Sequence, residues 1–308
     1  MSILVVGSVA LDRIETPFGV AENALGGAAT YFAAAASLFH PVQLVGVIGD
    51  DFPEGRLAFL EERGVDLDGL ERAKGESFFW SGRYHYDLNT RDTLETRLGV
   101  FAEFKPKIPP QFRDTEWVFL ANIDPELQLD VLEQVKTPRF VACDTMNYWI
   151  EGKRDALLEL LPRLDALLLN DSEARELSGE HNLSQAARWI RKKGPRIVII
   201  KKGEHGALLF TDDSVFFAPG FPLEEVFDPT GAGDAFAGGF MGWLGYVGTV
   251  NDEELRRAMI YGSATGSLVC ERFGTERLED IAMDEVHDRV RAFRRLTAFE
   301  HHVQAAHG

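Results

Sequence analysis

Asp228-Pro229-Thr230-Gly231-Ala232-Gly233-Asp234-Ala235-Phe236-Ala237-Gly238-Gly239-Phe240 is the stretch on which the fold turns. Gly231 and Gly233 have no side chains, so their backbone N–H groups can approach a ligand closely. A helix of small apolar residues begins there and runs to about Gly248. The first N–H groups of a helix have no internal partners, and its dipole favours an anion. A migrating phosphoryl group needs such preorganised donors where negative charge develops. Asp234 falls in the first turn, within reach of the same anion site, where it can accept a proton from an attacking hydroxyl.

The chain around this segment alternates between two patterns. Continuous apolar runs at 3–6, 42–48, 117–121, 140–143, 166–169, 197–200 and 207–210 predict strands covered on both faces. Helical patterns at 27–38, 55–63, 125–134, 154–161 and 183–193 separate most of them, and helices at 252–269 and 283–303 close the chain. The expectation is a three-layer α/β fold with a mostly parallel central sheet, in one domain spanning residues 1–308. Segments 12–25 and 76–98 break the rhythm. The second is rich in aromatic and β-prone residues, and both are expected to project as a small β lid or as an edge hairpin.

Composition narrows the partners. The 308 residues carry a formal net charge of −17, which repels nucleic acid and anionic lipid. A nucleotide remains admissible, because backbone N–H groups alone can make a phosphate site locally positive. No apolar run of about 18 residues exists to cross a membrane, and the start has no basic head or cleavage site. Cys143 and Cys270 lie far apart in apolar surroundings, as free thiols of a cytoplasmic protein do. There is no Gly-x-x-x-x-Gly-Lys-Ser/Thr loop, no Gly-x-Gly-x-x-Gly after the first strand and no zinc pattern. His301, His302 and His307 belong to an expected frayed tail.

The string Asp228 to Phe236 resembles the C-terminal signature of the ribokinase-like (PfkB) family of carbohydrate and nucleoside kinases, and the order of other features fits from the first strand to about Arg277. The resemblance implies a ribokinase-like fold and an ATP-dependent, Mg²⁺-assisted kinase. It also implies Asp234 as catalytic base and an anion hole built from the amides of Gly231, Ala232 and Gly233. Gly26-Gly27 resembles the family's N-terminal Gly-Gly loop near the substrate hydroxyls, and Asp12 matches its substrate-binding aspartate. A carboxylate accepting from two vicinal hydroxyls is the physical logic for Asp12, which can equally end a strand in a turn. Family members often carry Asn five positions after the first of these glycines; Tyr31 stands there in this chain.

Asn170-Asp171-Ser172-Glu173 resembles the family's Asn-x-x-Glu motif, which organises Mg²⁺ and phosphates through water. The same spacing makes a helix capping box, and the two roles are compatible. Lys201-Lys202-Gly203-Glu204-His205-Gly206 resembles the turn that meets the nucleotide, with Lys201 in place of the usual Thr; it also reads as a plain β-hairpin. A lysine there neutralises phosphate charge. Asp144-Thr145-Met146-Asn147-Tyr148-Trp149 lies at a strand's C-terminal end and resembles a family Asp-x-Asn stretch near the phosphates, with Asn147 as the candidate. Asp228 and Thr230 match positions that supply K⁺ ligands in some members. Thr230 is also a nucleotide-binding candidate. In the lid, Arg91 and His85 are candidates to close over the substrate, and Phe78, Phe79, Trp80 and Tyr84 to form a homodimer face. A sugar is the first expected acceptor and a nucleoside the second; a non-catalytic metabolite sensor would have lost the base or the anion hole, and both are present.

Overall fold

The computed structural model describes residues 2–298. Thirteen strands form two sheets. In chain order they are β1 (Ile3–Val6), β2 (Ala10–Thr16), β3 (Gly19–Gly26), β4 (Val42–Ile48), β5 (Val65–Arg72), β6 (Phe78–Tyr84) and β7 (Arg91–Arg97). There follow β8 (Trp117–Leu120), β9 (Phe140–Asp144), β10 (Ala166–Asn170), β11 (Ile197–Lys201), β12 (Ala207–Phe210) and β13 (Val215–Ala218). The large sheet has nine strands in the order β13-β12-β11-β10-β9-β8-β1-β4-β5. From β5 to β11 every neighbour is parallel, and β12 and β13 add an antiparallel edge hairpin.

The unbroken apolar character of the central strands follows from this burial. Ile3 and Val5 point into one core with Leu44, Phe119 and Leu168, while Leu4 and Val6 point into the other with Val45, Leu120 and Leu169. Helices 28–36, 232–247 and 252–269 cover the first face, and helices 125–134, 154–160, 171–178 and 183–191 the second. Each such side chain contributes about 1.5–3 kcal/mol on leaving water. β5 escapes the apolar-run criterion because it is an edge strand with only Val65 buried, and its remaining residues are partly or fully exposed.

The small-residue character of 232–247 has a packing cause. A Cβ on Gly238 would come within 2.4 Å of the Phe32 carbonyl oxygen, and one on Gly239 within 2.3 Å of Thr265 Oγ1. The helix therefore packs backbone to backbone against helix 28–36 and closely against helix 252–269.

Both irregular segments form the second sheet, of order β3-β2-β6-β7. β2 pairs antiparallel with β3 and parallel with β6, and β6 pairs antiparallel with β7. The pattern at 55–63 is helical only over Ala58–Glu62, and the last helix is described over Met283–Thr297, with 299–303 of its expected span outside the described residues. The tail histidines lie outside the described residues. No helix among the described residues is long and apolar enough to cross a membrane.

Candidate active site

The site forms at the C-terminal ends of β9, β10 and β11, beneath the lid, around the head of helix 232–247. The entry to this helix is tied down by Asp228, which is wholly buried. One of its carboxylate oxygens accepts from the Thr230 amide at 2.8 Å and the other from the Gly274 amide at 2.8 Å. Gly231 then turns left-handed, with φ 75°, and a Cβ there would lie 2.4 Å from ring atoms of Tyr31. Only glycine satisfies both conditions. The Ala232 amide bends back to the Pro229 carbonyl at 3.2 Å. Those of Gly233 and Asp234, in the first turn, have no carbonyl behind them and are the open donors of the helix head. Of the three amides expected to bind an anion, that of Ala232 is thus partly engaged.

The Asp234 carboxyl is pushed up to about 7, first by burial and then by the nearby charge of Asp144, with Lys201 and Arg91 pulling the other way. Lys201, at the end of β11, sets its Nζ 2.7 Å from Asp144 Oδ2 at the end of β9. The same ammonium lies 3.0 Å from where a Gly233 Cβ would stand. Burial disfavours its charge, but Asp144, Glu173 and Asp234 together outweigh that and hold it protonated.

Asn170 and Glu173 form the reciprocal capping box of helix 171–178: Glu173 Oε2 accepts from the Asn170 amide at 2.7 Å, and Asn170 Oδ1 from the Glu173 amide at 2.8 Å. Burial and the Asp144 charge push the Glu173 carboxyl up to about 7, against Lys201, the Asn170 amide and Arg91. Among the described residues no group of three or more His, Cys, Asp or Glu side chains could hold a metal ion unaided. Glu173, free at one carboxylate oxygen of recorded hydrogen bonds and beside the helix head, fits a Mg²⁺ that arrives with phosphates and keeps its water.

On the other side of the helix head lies Asp12 on β2. A Cβ on Gly26 would fall 1.9 Å from Asp12 Oδ2, so the carboxyl rests flat on the Gly26 backbone. Its Oδ1 is buried and makes no hydrogen bond. Burial, then the charges of Asp228 and Asp234, push this carboxyl up to about 8. Gly27 serves the chain turn instead: its φ is 94°, and a Cβ would meet the Ser8 carbonyl at 2.4 Å. Tyr31, with 1% of its surface exposed, lays its ring against Gly231, and its hydroxyl also makes no hydrogen bond.

The lid closes the site from above. The Thr230 hydroxyl donates to Tyr84 Oη at 3.2 Å, so this threonine meets the lid directly. Arg91 stands opposite Tyr84 in the β6–β7 register, with its guanidinium 5.6 Å from the Trp80 ring, and its charge is felt at Asp234 and Glu173. His85 turns to Asp92 within the lid, at 2.9 Å. The expected interface aromatics are engaged inside the chain: Phe78 stacks on Phe101 at 5.3 Å, Arg97 covers Phe79 at 4.3 Å, and the Trp80 indole donates to Thr93 at 3.3 Å. At the lid tip Asn89 donates to Glu204 at 3.0 Å, and its Oδ1 would be 2.6 Å from a Cβ on Gly203. Gly203 and Gly206, with φ of 56° and 86°, shape that turn.

Asp12, Gly26, Tyr31, Thr230, Gly231, Gly233, Asp234, Lys201 and Glu173 therefore converge, joined from the lid by Arg91. Asn147 is exposed at the start of helix 147–152, with no recorded contact to the group. Asn89 was not singled out in the sequence; Tyr84 was read there only as a lid aromatic, and Asp144 only as the head of the stretch that includes Asn147, with no tie to Lys201. How these side chains meet depends on how the lid and the strand ends lie.

A family profile described as pfkB family carbohydrate kinase matches residues 2–281. The cytidine kinase of Thermococcus kodakarensis is 33% identical over 247 residues, covering 78% of this chain and 87% of that protein. The aminoimidazole riboside kinase of Salmonella typhimurium is 28% identical, covering 86% and 88%. Among solved structures, the nucleoside kinase of Methanocaldococcus jannaschii superposes with a TM-score of 0.73 at 22% identity over 95% of this chain and 99% of that one. A fructokinase from Vibrio cholerae gives 0.77 at 18% identity, over 94% and 99%. At these identities the structural matches speak for the fold.

Proposed function

Because the chain belongs to the pfkB family of carbohydrate kinases, phosphotransferases that act on hydroxyl groups of sugars and nucleosides, we propose that it phosphorylates a riboside hydroxyl at the expense of ATP, with Asp234 as general base. The observation that carries the reaction is the Asp234 carboxyl, pushed up to about 7 at the open head of helix 232–247. A base poised near neutral pH combines the ionised form with a useful driving force for proton transfer.

In this reading the acceptor hydroxyl gives its proton to Asp234 while its oxygen forms the new bond to the γ-phosphorus. The bond from that phosphorus to the β–γ bridging oxygen breaks, and ADP leaves. The Gly233 and Asp234 amides and the Lys201 ammonium receive the charge that gathers on the transferring oxygens, and the Gly231 turn aims the amides. Gly203 and Gly206, both at positive φ, hold the turn that follows Lys201 against the lid tip and the 218–220 backbone. Glu173 would help hold a Mg²⁺ that would neutralise phosphate charge. No step is assigned to K⁺, since both Asp228 oxygens already accept backbone N–H bonds.

On the acceptor side, Asp12 Oδ1 and the Tyr31 hydroxyl are buried polar atoms without partners, and such atoms call for a ligand. Two neighbouring ribose hydroxyls would satisfy the Asp12 carboxyl. The named relatives favour a riboside over the free sugar that sequence alone put first. ADP release with ATP and Mg²⁺, measured across cytidine, uridine, adenosine, aminoimidazole riboside, ribose and fructose, tests both points. Turnover on a riboside at least tenfold faster than on either free sugar is expected; turnover confined to free sugars would overturn the substrate class.

A further inference from the structure

We propose that Asp144 is a positioning residue that pins the Lys201 ammonium beside the open amides of helix 232–247, where it engages the terminal phosphoryl group of a nucleoside triphosphate. The inference rests on the kinase reading above and gives Asp144, at the head of the 144–149 stretch, a specific task.

Lys201 ends β11 and Asp144 ends β9, so their contact reaches across the end of β10. A lysine side chain has four flexible bonds and no preferred direction of its own. Asp144 supplies the direction. It is only 4% exposed, and its Oδ1 is held by the Thr145 amide at 2.8 Å, which leaves Oδ2 fixed toward Lys201 at 2.7 Å. Gln128 steadies the same backbone through the Asp144 carbonyl at 3.3 Å. An ammonium has three donors; one goes to Asp144, which leaves two for a ligand at a nitrogen that lies 3.0 Å from where a Gly233 Cβ would stand.

Stability is a poor explanation for the pair. Buried ion pairs return little net free energy over apolar residues of the same size. Here the lysine is moreover set among three acids, Asp144, Glu173 and Asp234, with helix amides on its open side. The three acids keep the lysine charged, and the ammonium and the open amides beside it are the groups that can meet an anion.

The test compares Asp144→Asn, Lys201→Met and the double variant, with calorimetric binding of ADP and of the non-hydrolysable β,γ-imido analogue of ATP, both with Mg²⁺. Wild type should prefer the triphosphate analogue. Lys201→Met and Asp144→Asn should each cut that preference about tenfold while ADP affinity changes less than about threefold, as expected for one charge-assisted contact. The double variant should be no worse than Lys201→Met alone, because Asp144 acts only through Lys201. Additive losses, or tighter analogue binding by Asp144→Asn, would overturn the proposal. If Asp144→Asn does not fold, as melting would reveal, the comparison of Lys201→Met with the neutral double variant still decides it. A wild-type chain that binds neither nucleotide would overturn both this and the kinase reading.

Discussion

The hydroxyl of Thr230 and the phenol of Tyr84 meet at 3.2 Å, 146 residues apart in sequence, and join the loop that opens the phosphoryl site to the sheet that covers it. Both residues are buried, Thr230 at 9% and Tyr84 at 6% exposure. A hydrogen bond in such a place contributes about 0.5–1.5 kcal/mol and leaves an unpaired group when one partner is removed. The covering sheet is thereby tied to the turn that opens helix 232–247.

Tyr84→Phe should loosen this closure without unfolding the chain. The KM for the acceptor is expected to rise about three- to tenfold, with a stability loss of about 1 kcal/mol. Initial-rate kinetics and thermal melting report the two effects separately; an unchanged KM would detach the lid from acceptor binding.

Asp234→Asn should lower kcat by about two to four orders of magnitude while nucleotide affinity and melting temperature stay near wild type. Since the base acts ionised and its carboxyl lies at about 7, the wild-type kcat should rise from pH 5.5 and level off above about pH 8. Near-normal kcat in the variant would remove Asp234 from the role.

Gly231→Ala adds a methyl group where φ is 75° and where the nearest Tyr31 atom would be 2.4 Å away. Left-handed strain and overpacking each cost about 1–3 kcal/mol. The variant should melt markedly earlier, and chemical denaturation should show a loss of about 2–4 kcal/mol. A smaller change would mean that the Tyr31 ring can swing aside.

Asp12 gives a stability test with a defined sign. Its carboxyl moves from the ordinary 3.8 to about 8 in the folded protein, so between those values the folded chain binds more protons than the unfolded one. Its contribution is full below about pH 4 and is lost as pH rises toward 8. Asp12→Asn should therefore flatten the fall of melting temperature between pH 6 and pH 9 and raise it at pH 9, by about 2–4 °C. Acceptor KM should rise at the same time. A pH profile identical to wild type would show that Asp12 ionises freely.

Much of the architecture could be read from residues alone, because burial on two faces writes itself as uninterrupted apolar runs; β1, β4, β8, β9, β10, β11 and β12 all appear as such. β5 was silent, since an edge strand buries little and needs no such run. At the site, the helix head was legible through Gly231, Gly233 and Asp234, whose types have few other uses together. The Asn170–Glu173 spacing foretold its capping box. Lys201 was found for its charge, but its fixed direction was not, because that depends on Asp144 two strands away in the sheet and 57 residues back. Tyr84 was read only as a lid aromatic and Asn89 was not singled out for the same reason: which lid residues touch the site is decided by strand register, and register has no local mark.

The close seam between helices 28–36 and 232–247 has a further effect. One of them follows the glycines that cradle Asp12, and the other carries Asp234. Pressed together with Gly238 against the Phe32 carbonyl, they give the two ends of the reaction a common chassis whose spacing cannot drift. A bulkier residue at Gly238 would therefore pry apart the acceptor side and the base side together, far from either set of polar groups.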